Sequence, residues 1–255
     1  MLDKMAKKTT ELSLNNNEVH LWRTDIQQVP PSLIASYLEL MTDGERERNQ
    51  RYKFEKSCIE HAITRALVRT VLSRYAADIH PSDWRFTQGE HGKPELLNKP
   101  ISIEFNLTHS SRYVICAVSS TMKVGVDVEH TARKNDVLTI ADRFFSEQEV
   151  RELFALPEAK QRSRFFDYWT LKEAYMKARG EGISLGLGNF SFSFCEVGSS
   201  QTISITMAEK LNDNPADWYF QLDQPSPDQR FALAVKTAGQ KLPLDIKVFD
   251  IIPLF

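Results

Sequence analysis

The sequence states one pattern twice. Asp83-Trp84-Arg85-Phe86, followed by the apolar run Arg112-Tyr113-Val114-Ile115-Cys116-Ala117-Val118, is echoed by Asp217-Trp218-Tyr219-Phe220 and then Arg230-Phe231-Ala232-Leu233-Ala234-Val235. A helical stretch stands ahead of each pair. In the first, Ile59, Ala62, Ile63, Ala66, Leu67 and Val71 recur at the spacing of one helix face behind the capping-box form Ser57-Cys58-Ile59-Glu60, which predicts a helix over about 57–76. The second is expected from about Lys160 to Arg179, ending at Gly180, a residue suited to the left-handed turn after a helix. Helix-then-strands stated twice suggests an α+β fold of two similar halves, 1–124 and 125–255.

Between these landmarks the chain reads as short elements. A strand is expected at Glu18 to Trp22, a short helix after Pro30-Pro31, and a turn at Asp43-Gly44. The charged segment Glu45 to Lys56 reads by default as a solvated face. Trp84 to Phe86 and Ile101 to Phe105 are strand candidates, and the glycine-bounded turn Gly89 to Pro94 between them presents Lys93. Phe105 to Arg112 reads as a polar loop ahead of the buried strand 113–118. Within it Ser110 and His109 are adjacent, with no glycine elbow and no specified acid, which makes a poor nucleophile site. Phe145, Ser146, Glu149 and Val150 fit a capping box with a hydrophobic staple, so Glu149 is assigned to structure and not to a metal. Ser191 to Phe194 and Thr202 to Thr206 alternate like strands; the apolar tail Phe249 to Phe255 has no assigned place.

The formal net charge of −2 argues against a protein devoted to nucleic acid or to anionic membrane. Met1 to Thr10 is polar and basic, and no run of 18 apolar residues occurs, so a cytoplasmic chain without a signal or transmembrane segment is expected. Cys58, Cys116 and Cys195 are odd in number and widely spaced, and are expected to be reduced and buried.

The chemistry concentrates at Gly125-Val126-Asp127-Val128-Glu129. On a strand, Asp127 and Glu129 point to one face and Val126 and Val128 to the other. Two neighbouring carboxylates repel unless solvated or bridged by a cation, so both a wet strand end and a magnesium site fit this stretch. On the second long helix Trp169, Glu173 and Lys177 are spaced i, i+4, i+8 and share one stripe. A surface Glu-Lys pair explains two of them; the tryptophan suggests instead that the stripe faces protein.

Taken in order, Gly92-Lys93-Pro94, Asn106-Leu107-Thr108-His109-Ser110, Gly125-Val126-Asp127-Val128-Glu129, Phe144-Phe145-Ser146 and Trp169-Thr170-Leu171-Lys172-Glu173-Ala174 resemble the motifs of the 4′-phosphopantetheinyl transferases of the surfactin-synthetase-activating (Sfp) type. The similarity runs from about Glu45 to the Arg230 strand. It implies two α+β halves forming an intramolecular pseudo-dimer, with the active site in the cleft between them. It also implies transfer of the phosphopantetheine arm of coenzyme A to a serine of an apo acyl or peptidyl carrier protein, by a monomer that uses neither nucleic acid nor membrane. By the resemblance, Asp127, Glu129 and Glu173 would hold Mg²⁺, or Mn²⁺ in its place. Glu173 would take the serine proton directly or through a water on the metal, and Lys177 would neutralise the pyrophosphate. Thr108, His109 and Lys93 would contact coenzyme A, with Arg46, Arg48 and His61 as further candidates. Ser57-Cys58-Ile59-Glu60 departs from the more basic helix start common in the family. The competing readings are another Mg²⁺-dependent phosphohydrolase or nucleotidyl transferase, and a non-catalytic carrier-protein or nucleotide-binding module.

Overall fold

A computed structural model describes residues 12–89, 91–97, 101–197, 200–238 and 243–255. The polar terminus Met1 to Thr10, and Glu90 of the glycine-bounded turn, lie outside the described residues. The first half runs β1 (Glu18–Asp25), α1 (Ile34–Glu39), α2 (Asp43–Gln50), α3 (Glu55–Ser73), a small hairpin β2 (Phe86–Gln88) and β3 (Pro94–Leu96), then β4 (Glu104–His109) and β5 (Tyr113–Ser119). The second runs β6 (Val124–His130), α4 (Val137–Phe144), α5 (Glu147–Phe154), α6 (Glu158–Arg179), a hairpin β7 (Phe190–Val197) and β8 (Ser200–Met207), then β9 (Trp218–Ser226) and β10 (Gln229–Lys236). A last strand, β11, spans Asp245–Asp250.

The sheets are ordered β11-β1-β5-β4 and β6-β10-β9. In each half the opening strand pairs with the last strand of the half, which pairs with the one before it, while a long helix and a small hairpin intervene in sequence. The duplication is therefore topological. Only part of the sequence echo reports it: β5 and β10 are equivalent, but Trp84 ends a 3₁₀ turn ahead of the first small hairpin whereas Trp218 opens β9.

Three apolar clusters hold the halves. One lies under α3, a second surrounds α6, and a third joins Leu21, Ile115 and Ala117 of one sheet to Val126, Val128 and Leu233 of the other. Strand β5 sends Val114, Cys116 and Val118 to the α3 side and Tyr113, Ile115 and Ala117 to the inter-sheet side. Both faces are covered, which explains its unbroken apolar run.

Several local expectations change. Asp43-Gly44 is no turn: Thr42 caps α2 and exchanges capping-box bonds with Glu45. The box expected at Ser57 and Glu60 does not form, because α3 begins earlier, at Glu55, and both residues lie within its first turns. Glu60 instead stands 3.8 Å from Lys56. Asn106 to His109 is strand, not loop. Of the cysteines only Cys116 is buried; Cys58 is half-buried and Cys195 exposed, and all three are free thiols. The tail returns to the first half: β11 pairs in parallel with β1, Phe249 stacks on Trp22 at 4.5 Å between centroids, and Tyr37 Oη donates to Pro253 O at 3.1 Å. The second half as first bounded, 125–255, thus contains a segment that completes the first sheet. No helix among the described residues is long and apolar enough to cross a membrane.

Candidate active site

The centre of the molecule is the crossing of β6 by α6. Val124, Val126 and Val128 point into the inter-sheet core, so Gly125, Asp127 and Glu129 face the helix. Two residues of strand advance about 6.6 Å and one helical turn about 5.4 Å, so alternate strand positions meet successive turns. Gly125 meets the turn from Ala174 to Ala178 and Glu129 meets Trp169, while Lys177 reaches from the first of these turns to Asp127 between them. A Cβ on Gly125 would fall 2.0 Å from Ala174 O and 2.4 Å from Ala178 N. Glycine is required there because helix backbone lies directly on strand backbone.

Asp127 is buried. Its Oδ1 takes the Lys177 ammonium at 2.7 Å and the Thr108 hydroxyl at 3.2 Å. Lys177 also donates to Val126 O at 3.2 Å and Thr108 Oγ1 at 3.4 Å, so all three of its donors are engaged within the protein. Asp127 Oδ2 is buried and has no hydrogen-bond partner among the described residues. Burial, and next the Asp127 charge, raise the Glu173 carboxyl above its ordinary range, with Lys177 opposing. Glu129 is turned aside: its Oε1 accepts from Trp169 Nε1 at 3.0 Å and it pairs with Arg133. No group of three His, Cys, Asp or Glu side chains among the described residues is arranged to hold a metal. The orphaned Asp127 oxygen and the disfavoured Glu173 charge nonetheless fit a hard divalent cation of the kind that binds one or two carboxylates and completes its shell with phosphate and water.

Along the outer face of β4 lies a cavity of about 440 Å³ whose lining includes Arg48, Tyr52, His61, Arg65, Phe86 and His109. Glu45, half-buried on α2, pairs with both Arg65 and Arg69, and both guanidiniums lie over the Phe86 ring, at 4.4 and 4.9 Å from its centroid. The segment expected to be a solvated face therefore supplies an anchoring carboxylate. Burial, then the Arg65 and Arg48 charges, push the His61 imidazole down to about 4. An entering phosphate acts in the opposite direction.

The other expected contacts separate. Arg46 points away from this cavity, to Asp43 and to the carbonyls of Leu38 and Met41 at the end of α1. Lys93 lines a second cavity, of about 390 Å³, with Glu104, Lys123 and Arg179. Its ammonium is lowered by burial, and its Cδ lies 3.9 Å from where a Gly180 Cβ would stand. Thr108 is buried and faces β6 rather than either cavity.

The two sheets meet at β4 and β6 without a shared ladder. Asn106 Oδ1 accepts from Val126 N at 3.0 Å, and Thr108 Oγ1 from Val128 N at 3.1 Å. Ser110 Oγ donates to Gln229 Oε1 at 2.6 Å. Side chains thus replace the carbonyls that a neighbouring strand would offer.

Behind α6, Glu149 does more than cap. It closes the expected box with Ser146, accepts from Phe192 N at 2.9 Å, and pairs with Lys172 at 2.7 Å, both side chains being fully buried. Lys172 also donates to the carbonyls of Leu187 and Phe190. This fixes the rotation of α6 one residue before Glu173. Arg65 and Lys172 were not singled out from sequence; the i, i+4 spacing of His61 and Arg65 was the available signal for the first.

Residues 123–236 match the model of the 4′-phosphopantetheinyl transferase superfamily, and residues 30–121 that of the 4′-phosphopantetheinyl transferase N-terminal region. The chain is 32% identical to the 4′-phosphopantetheinyl transferase HetI of a Nostoc species, over 91% of this chain and 92% of that one. It is 34% identical to the 4′-phosphopantetheinyl transferase Sfp of Bacillus subtilis, over 82% and 88% of the two chains. A solved structure of the Helicobacter pylori holo-[acyl-carrier-protein] synthase in complex with coenzyme A aligns with 44% of this chain and 96% of its own, at 19% identity and a TM-score of 0.33.

Proposed function

The chain belongs to the 4′-phosphopantetheinyl transferase superfamily, and on that premise we propose which of its residues carry the transfer. The reaction moves the phosphopantetheine arm of coenzyme A to the hydroxyl of a carrier-protein serine. The serine oxygen forms a bond to the β-phosphorus as the bond from that phosphorus to the bridging oxygen breaks, and adenosine 3′,5′-bisphosphate leaves. Little covalent work falls to the protein in such a step, so alignment and charge neutralisation supply most of the rate.

In our reading the arginine-lined cavity takes the nucleotide end of coenzyme A. Arg48 and Arg65 face its phosphates, and Tyr52 offers a ring face to the base. His109, exposed at the end of β4, lines this cavity and feels the charges of Lys177 and Asp127. Lys93 then acts at the rim, from the far side of the turn. Asp127 through Oδ2, together with Glu173, would hold Mg²⁺, or Mn²⁺ in its place, with Glu129 able to join on leaving Arg133. When bound, such an ion neutralises charge on the pyrophosphate. Glu173 takes the serine proton. Lys177 fixes Asp127 and bears positive charge beside the leaving group.

The observation that carries this assignment is the buried, unpartnered Asp127 Oδ2, on a carboxylate bonded to Thr108 of β4, the strand whose next residue, His109, lines the cavity with two arginines. Both walls come from one chain, which supports a monomer; a cytoplasmic location and indifference to nucleic acid and membrane belong to the same reading. The test incubates the protein with coenzyme A, Mg²⁺ and an apo carrier. Intact mass spectrometry is expected to show one phosphopantetheine arm on the carrier, lost with Asp127→Asn and with Glu173→Gln. Full transfer by both folded variants would overturn the residue assignment.

A further inference from the structure

We propose that Thr108 is a positioning residue for Asp127, holding one carboxylate oxygen so that the other is left free as the metal-ligating atom. The inference rests on the divalent-ion reading of Asp127 and Glu173, and it gives Thr108 a role other than touching coenzyme A.

The geometry leaves the hydroxyl little freedom. Thr108 is buried, on the edge of β4 that faces β6. A hydroxyl has two lone pairs and one proton. Val128 N donates into Oγ1 at 3.1 Å and Lys177 Nζ at 3.4 Å, so the acceptor capacity is filled. The proton must point elsewhere, and Asp127 Oδ1 at 3.2 Å receives it. Lys177 holds the same oxygen at 2.7 Å. With Oδ1 fixed from two sides the carboxylate plane is set, and Oδ2 is the atom left without a partner. A β-branched residue suits the task because its χ1 is stiff. Asn106 performs the structural half alone, accepting from Val126 N at 3.0 Å. The seam between the halves and the orientation of Asp127 are thereby joined in one side chain, and no group of coenzyme A can take that hydroxyl without breaking an inter-half bond.

The experiment measures Mn²⁺ affinity by electron paramagnetic resonance of the free ion, with coenzyme A present, alongside the KM for coenzyme A. Thr108→Val removes the hydroxyl and keeps the shape. It is expected to weaken Mn²⁺ binding about 10-fold or more, the usual size for loss of a partner that orients a metal ligand, and to leave the coenzyme A KM unchanged. Thr108→Ser is expected to restore Mn²⁺ affinity. Should the valine variant fail to fold, Thr108→Ala, which leaves room for a water at Val128 N, is titrated in its place with the same expectation. Wild-type Mn²⁺ affinity in the hydroxyl-free variant, or a raised coenzyme A KM with Mn²⁺ affinity intact, overturns the proposal while leaving the divalent-ion reading standing. A wild-type protein that takes up no Mn²⁺ overturns both.

Discussion

Gly125→Ala is the smallest change that separates the halves of the site. The added Cβ lies 2.0 Å from Ala174 O, whereas ordinary contact begins at 3.4 Å, so α6 must retreat by about 1.4 Å. Neither obstructing group can rotate away, since both Ala174 O and Ala178 N are backbone. Overpacking of this kind costs about 1–3 kcal/mol, and backbone on both sides argues for the upper end. For a chain of this size that lowers the melting temperature by roughly 4–10 °C. The retreat also moves Glu173 and Lys177 from Asp127, and a misplacement of about 1 Å commonly lowers a rate about 100-fold. Differential scanning calorimetry and carrier-modification rates read the two effects. Gly44→Ala on α2 is the control: its Cβ meets nothing within 4 Å, so stability should hold or rise slightly. If Gly125→Ala melts and turns over like the wild type, the helix is not seated on β6 as described.

Behind the helix, Lys172→Met alone leaves Glu149 buried and unpaired, with an expected loss of about 3–5 kcal/mol in chemical denaturation. Adding Glu149→Gln, which removes the buried charge and keeps an acceptor for Phe192 N, should recover much of it, and a double variant as unstable as the single would contradict the pairing. At the other end of the molecule, Lys247 first, then the Asn15 backbone, lower the Glu18 carboxyl to about 2 from an ordinary 4.5 and tie β11 to β1. Because the folded pKa is depressed, the stabilisation is present above 4.5 and is lost as pH falls toward about 2. The stability difference between wild type and Lys247→Met should be constant above that window and shrink within it; a difference that grows on acidification would reverse the assignment.

Periodic features were legible in the sequence because each carries its own signal. The α6 pattern ends at Gly180, whose φ of 76° is the left-handed conformation expected of a helix stop. The alternation of 124–129 placed Asp127 and Glu129 on one face, and the echo of β5 in β10 marked the duplication. What failed depends on partners remote in sequence. Glu45 looked solvated because Arg65 and Arg69 lie a helix away. Asn106 and Thr108 looked like loop residues because their polar side chains, which read as turn-forming, are used instead to bond the β6 backbone. The tail could not be placed because its pairing with β1 joins residues more than two hundred positions apart, such as Glu18 and Asp245. Ser57 and Glu60 show the converse error: a capping-box spacing also fits inside a helix that has already begun.

The most direct test of the divalent-ion centre is a crystal of the protein grown with coenzyme A and Mn²⁺, with an anomalous difference map collected near the manganese absorption edge. The prediction is one peak at coordination distance from Asp127 Oδ2 and the Glu173 carboxylate, against the pyrophosphate. Bound coenzyme A with no manganese peak at these carboxylates, or with the peak elsewhere, would contradict it.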